Sequence, residues 1–174
     1  MTIDLENYRW RCGCCGEEQV GLPMAVACNE PGGWRSLDAA TKSRSKMNSD
    51  LCIVKYADGH VDRFIRAVLQ LPVPETGSTF DFGVWVSVSE ASFDDYLEGW
   101  DTGTYSREGC FGYLCNELHE FPESTHLHAD VEFPPADLRP LVYLHDADHP
   151  LVEAQRHGIS LSLVEKIAAA SMSH

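Results

Sequence analysis

Cys12, Gly13, Cys14, Cys15 and Gly16 stand in a row near the start of the chain. Cys12 and Cys15 form a C-x-x-C pair with glycine directly behind it. Two thiolates at that spacing can face one metal ion, and the glycine permits the tight turn of a knuckle. Zinc suits the pair best, being redox-silent, tetrahedral and well matched to sulfur. A complete site needs more ligands. Cys52 lies on an expected strand and His60 beyond the turn that follows it, and either could reach the pair through the fold. Reduced structural thiols and a redox dithiol are the competing readings. The redox reading expects the pair at a helix N-terminus beside a βαβ pattern, where the dipole lowers a thiol pKa. Here Gly16 and Gly21 surround it instead.

Other groups carry chemistry with a plainer alternative. His126 and His128 alternate on one expected strand face, with His119 nearby. Alternation alone explains them as the exposed face of a half-buried strand. His149, Glu153 and Gln155 fall on or before a short helix, where a cap and a surface face are the simpler reading than proton transfer. The G-x-S-x-G, G-x-x-x-x-G-K, H-E-x-x-H and G-x-G-x-x-G motifs do not occur.

These residues need a scaffold, and the chain supplies one domain's worth. It has 174 residues, with 27 acidic and 13 basic side chains and a formal net charge of −14. That field repels phosphate backbones and anionic membranes and favours a cationic partner. The segment Met1–Glu6 has neither a basic nor an apolar signal-peptide region, so the expected location is the cytoplasm. The seven cysteines are then thiols rather than a disulfide framework.

The expected fold class is α+β: a mostly antiparallel sheet of about five or six strands with a few helices and an N-terminal cysteine knuckle. Residues 1–174 read as a single domain, with the knuckle segment at 10–28, a sheet core at 50–145 and C-terminal helices at 149–171. Leu51–Tyr56 and His60–Leu71 flank Asp58-Gly59, a hairpin signal. Phe80–Val88 is a third strand, and Ser89 caps a helix from Glu90 to Trp100. Cys110–Leu118, Thr125–Phe133 and Leu138–His145 complete the set, the last at an edge because of Pro140. Asp38 caps a short helix. Pro150 opens another, Gly158 stops it, and Ser160 caps the last.

Several segments occur in a recognisable order: Arg11–Gly16, Ser49–Cys52, Phe64-Ile65-Arg66, Phe82–Ser89, Phe111–Leu114, Leu138-Arg139-Pro140, and His149-Pro150-Leu151 with Gln155 and Gly158. Together they resemble the bacterial family catalogued as domain of unknown function 2199, over nearly the whole chain. The resemblance implies a stand-alone bacterial domain and carries no catalytic residue. It narrows the expected metal set to Cys12, Cys15 and Cys52, and leaves Cys14, Cys28, Cys110 and Cys115 as buried thiols. Gln19 stands where relatives often place a histidine.

The leading expectation is a non-enzymatic, metal-stabilised module, with zinc as the candidate ion, that binds a protein or small molecule. Arg66, Trp85, His149 and Gln155 are its candidate contacts, Trp85 having a core reading as well. The alternatives are an acidic immunity-type inhibitor of a toxin or basic enzyme, and a metal-dependent enzyme. The charge argument excludes nucleic acid and membrane as partners. Duplex DNA of random sequence should therefore give no measurable anisotropy change at about 0.15 M salt. Micromolar binding would overturn the argument.

Overall fold

The computed structural model describes residues 2–135 and 137–172. Its spine is one long hairpin. Strand β6 (Val61–Val73) pairs antiparallel with β7 (Ser78–Val88) from Arg63↔Val88 to Val73↔Ser78. Alternation sends Ile65, Ala67, Leu69, Leu71 and Val73 to one face, with Phe80, Phe82, Val84 and Val86 opposite them. All nine are buried. The β-branched and aromatic content of both runs suits a pleated, packed surface.

Each spine strand is longer than its neighbours and divides between two of them. The first part of β6 holds β5 (Leu51–Lys55), antiparallel, with β4 (Lys46–Met47) beyond it. Farther along, Val68 pairs with Leu141 of β10 (Leu141–Leu144), in parallel. Strand β7 takes β3 (Ala25–Ala27), parallel, at Asp81–Gly83, and β8 (Gly109–Leu114) at Val86–Ser87. β9 (His128–Glu132) joins β8 to β10. The strands β6-β7-β8-β9-β10 thus close on themselves as a five-stranded barrel, with β3, β4 and β5 as extensions. A separate ribbon pairs β1 (Arg9–Arg11) with β2 (Glu18–Val20).

This architecture corrects the simple sheet. The fold class is mixed α+β, and among the described residues four α-helices accompany an eight-stranded set with two parallel pairings plus the ribbon. β1 to β4 are two or three residues long, too short for a period-two pattern to register. β10 is not an edge, because it lies between β6 and β9. Pro140 precedes it and supplies an acceptor, its carbonyl taking the Val68 N–H at 2.8 Å.

The helices follow their caps. α1 (Ala39–Arg44) opens where Asp38 accepts from the Thr41 N–H at 2.7 Å, and α2 (Glu90–Thr102) where Ser89 accepts from Ser92. α3 (Pro150–His157) begins with proline and ends at Gly158, whose φ of 90° suits glycine. A Cβ there would lie 2.7 Å from the Pro72 carbonyl. α4 (Leu161–Met172) is capped by Ser160, and Glu75 in the β6–β7 turn accepts its first N–H at 2.9 Å. The inward faces of α2, α3 and α4 join the barrel core through Phe93, Tyr96, Leu151, Val164 and Ile167. No helix of the described residues is long and apolar enough to cross a membrane.

A second, smaller core lies on the other face of the spine. Cys52, Val54, Phe64, Trp85 and Cys115 pack there, and Cys28, Trp34, Leu37 and Tyr56 lie against them. The main core should dominate stability. Leu69→Ala should lower the unfolding free energy by about 2–5 kcal/mol in a urea titration. Leu138→Ala, on an exposed side chain, should change it by less than about 0.5 kcal/mol.

Candidate metal centre

The knuckle is the turn of the β1–β2 ribbon. Register pairs Arg11 with Glu18, so residues 12–17 form the connection. The Cys12 N–H donates to Glu17 O at 2.9 Å, and the Gly16 N–H returns to Cys12 O at 2.8 Å. Gly16 sits at φ 74°, a conformation that favours glycine. Arg11 Nη1 donates to the Gly16 carbonyl at 2.7 Å and braces the turn from outside. Trp10 and Cys12 are buried in the main core, and the Trp10 indole donates to Gly21 O at 2.9 Å. The ribbon is thus pinned by side chains. Tyr8 adds a bond from its hydroxyl to Glu165 Oε1 on α4 at 2.7 Å, and that bond, with burial, pushes the phenol up to about 12.

Three thiols converge in the turn. The sulfurs of Cys12, Cys14 and Cys15 lie within 4.8 Å of one another, so the cluster could hold a metal ion. Around a tetrahedral ion with metal–sulfur bonds of about 2.3 Å, ligand sulfurs stand about 3.8 Å apart. Cys12 Sγ and Cys14 Sγ are in contact at 2.8 Å, closer than two ligands of one ion would stand. The bond from the Cys14 thiol is the main reason the Cys12 thiol is lowered to about 7, aided by the backbone N–H groups of Cys15 and Cys14. Cys15 accepts a lowering hydrogen bond from the Glu17 backbone. Its hydrogen bond to Cys12 and the desolvation around it outweigh that and raise it. The turn therefore favours a thiolate at its buried member, the form a metal requires. Cys14 and Cys15 are exposed. Beside them an open cleft of about 510 Å³ runs along α4, lined by Arg11, Gly13, Cys14, Ser162, Glu165 and Lys166.

Cys52 does not join this group. It is fully buried in the second core with Phe64 and Trp85, and burial pushes its thiol up to about 12. Cys14 corrects the expectation in the other direction, being an exposed member of the cluster. The middle residue of a C-x-C-C turn reaches the same side as its neighbours when the turn is tight, which spacing rules for strands and helices do not describe. Cys110 packs against the main core and Cys115 within the second, on opposite faces as their spacing required.

The histidines separate too. His128 points outward from β9 as expected. His126 lies before the strand at φ 74°, with its N–H on Leu114 O at 2.6 Å. Its loop is tied down: Glu117 Oε2 accepts from the Thr125 hydroxyl at 3.0 Å, and Ser124 Oγ bridges Asn116 O and Leu118 N. The Glu123 N–H on Glu117 is the main reason that carboxyl is lowered. His126 borders a cleft of about 440 Å³ with Tyr56, Asp62, Tyr113 and Thr125. Period-two reading had no means of seeing this turn.

The four expected contact residues are all engaged within the chain. Trp85 is fully buried, and its indole donates to Cys28 O at 3.0 Å. Arg66 opposes it in register, with its guanidinium 5.8 Å from the ring centroid and Nη1 on Ser49 O at 3.2 Å. His149 caps α3: Nδ1 accepts from the Leu151 N–H at 3.0 Å, and Nε2 meets Pro122 O at 2.9 Å. Both bonds require the neutral tautomer protonated on Nε2. Gln155 accepts from Leu144 N and donates to Val142 O, both at 2.8 Å, joining α3 to β10.

Removing Gln155 would strand two backbone groups, each worth about 1–3 kcal/mol. Gln155→Ala should therefore destabilise the protein by about 2 kcal/mol or more in a urea titration. A residue used only for surface contact would leave the midpoint unchanged.

No curated protein and no solved structure matches this chain. A family model described as "Uncharacterized protein conserved in bacteria (DUF2199)" matches residues 11–159, from the knuckle to the end of the α3 stop. With that match spanning most of the molecule, the chain belongs to the DUF2199 family of bacterial proteins.

Proposed function

We propose that this protein is a non-enzymatic, metal-stabilised binding module of the cytoplasm, with zinc held by Cys12, Cys14 and Cys15. The observation that carries the metal half is the convergence of three sulfurs within 4.8 Å in a turn that lowers one of their pKa values. Thiolate ligands select zinc among the common redox-silent ions. The position supports a structural role. An ion here would lock the turn of a ribbon whose Tyr8 and Cys14 reach α4, the latter by a weak thiol contact to Ala169 O at 3.8 Å. The net charge of −14 supports a cationic partner, which includes the basic enzyme that an immunity-type inhibitor would cover.

One observation favours a metal-dependent enzyme as a second reading. Three protein ligands leave a fourth position, as catalytic zinc sites do. The cleft beside the exposed thiols carries Glu165, Lys166 and Ser162. Cobalt substitution separates the two readings. A spectrum that changes on adding a small competing ligand shows an exchangeable position, and an unresponsive spectrum supports the structural role.

Metal analysis of protein purified without added zinc or chelator tests the site itself. Wild type should hold close to one zinc per chain. Cys12→Ser, Cys14→Ser and Cys15→Ser should each lose most of it and lower the melting temperature, since site formation is coupled to folding. Cys52→Ala, His126→Ala and His128→Ala should keep it. Full retention in the three knuckle variants would place the metal elsewhere.

A further inference from the structure

The solvent face of β8, β9 and β10 carries an ordered array of rings and carboxylates. Register aligns it in rows. Phe111 pairs with Asp130, and Asp130 pairs with Tyr143. One row therefore reads Phe111–Asp130–Tyr143 across three strands. The next reads Tyr113–His128–His145, from the Tyr113↔His128 pair and the His145 N–H on His128 O at 2.9 Å. Beneath them the alternate residues Ala129, Val131 and Val142 are buried, so the array is the outward face of the barrel wall.

Large apolar rings on a solvent face are unusual in number here. Phe111, Tyr113 and Tyr143 are 43%, 40% and 47% exposed. The rings order one another: Phe111 meets Tyr113 edge-on at 5.0 Å, and its centroid lies 5.5 Å from those of both His128 and His145. His145 Nε2 is 2.8 Å from Asp130 Oδ1, yet the Asp130 side chain remains 69% exposed. Glu108 and Glu132 stand with Asp130 and Tyr143 around an open cleft of about 490 Å³ at the end of this face.

We propose that this face docks a basic polypeptide segment, and that a lysine or arginine of that segment sits over the Phe111–Asp130–Tyr143 row. The inference rests on the binding-module reading and names its surface and partner class. A carboxylate set in register between two exposed aromatic residues offers a cation charge pairing, with ring-quadrupole attraction available beside it. Aromatic residues are the common anchors of recognition surfaces. Charge decides among occupants. A second copy of this chain would bring another −14 to the contact, and nucleic acid or an anionic lipid surface would be repelled by the same field. A basic segment is drawn to it.

The test is an anisotropy titration with a labelled decapeptide alternating arginine and serine, beside its glutamate counterpart, at about 0.15 M salt. The arginine peptide should bind and the glutamate peptide should not. Phe111→Ala, Tyr143→Ala and Asp130→Asn should each weaken binding about tenfold. Tyr143→Phe should stay within about twofold, because the ring face is used and not the hydroxyl. Asp101→Asn, at the end of α2, removes the same charge and should also stay within about twofold if the seat is local. Melting temperatures identify variants that fail to fold, and Asp130→Asn against Asp101→Asn keeps the test readable if an alanine variant does. Equal weakening by Asp130→Asn and Asp101→Asn, or unchanged binding in both alanine variants, would overturn the proposal. Zinc content measured on the same samples separates the outcomes: lost peptide binding with metal retained removes this face alone, and binding without metal removes the zinc site alone.

Discussion

The whole architecture depends on the parallel contact between β10 and β6. Only Leu141 and Val68 pair there, supported by the Val68 N–H on Pro140 O. It is possible because β6 runs for 13 residues while β5 covers only its first part. Where β5 leaves, the edge of β6 would otherwise present unpaired backbone groups, an aggregation liability. β10 fills that gap and turns an open sheet into a barrel. Closure sets the rest: β8 and β9 must curve round from β7, and the helices cover what closure leaves open.

The closing contact is reinforced by side chains drawn from distant parts of the chain. Asp50 O accepts the Arg66 N–H at 2.9 Å, and its carboxylate accepts from Arg139 Nε at 3.0 Å. Gln155 holds the far end of β10 from α3. Asn116 donates to Glu30 O and accepts from the Trp85 N–H at 2.7 Å, binding the outer layer to β7. Most of the segments that carry the family resemblance therefore meet around the seam and the second core. They read as binding candidates because arginine, tryptophan, histidine and glutamine have costly chemistry. In this fold Trp85, His149 and Gln155 bond backbone groups of the same chain, and Arg66 Nη1 holds Ser49 O while its Nε has no partner among the described residues.

Much of the scaffold was legible because it is periodic. The β5–β6 turn at Asp58-Gly59, the long alternation into Leu71 and the Ser89 cap of α2 were all readable from residue spacing. What could not be read was not periodic. β3 has three residues and joins β7 in parallel from across the sequence, which no local pattern encodes. Proline at 140 argued for an edge, yet its carbonyl helps close the barrel. For the metal site, Cys12 and Cys15 were legible through their spacing. Cys14 was hidden because only the turn's three-dimensional shape brings its sulfur to Cys12, and Cys52 was attractive only until the two cores were seen to be separate.

The ribbon explains why a metal would matter to a domain with so large a core. Among the described residues β1 and β2 pair only with each other, and no ladder connects them to the eight-stranded set. An isolated two-stranded ribbon is marginal in water. Its attachment consists of Trp10, Cys12 and Leu22 buried in the core, the Tyr8–Glu165 bond, and backbone bonds from Gly21 and Leu22 to Tyr8 and Leu5. Those contacts fix the base of the ribbon and leave its tip, residues 13–16, exposed. The tip holds two of the three thiols and has no apolar side chain of its own besides them. An ion bound there would order a tip that is held to α4 by the weak Cys14 contact to Ala169 O. The barrel would stand without it, and the outward aromatic face on β8, β9 and β10 would keep its geometry, because that face is positioned by strand register and not by the knuckle.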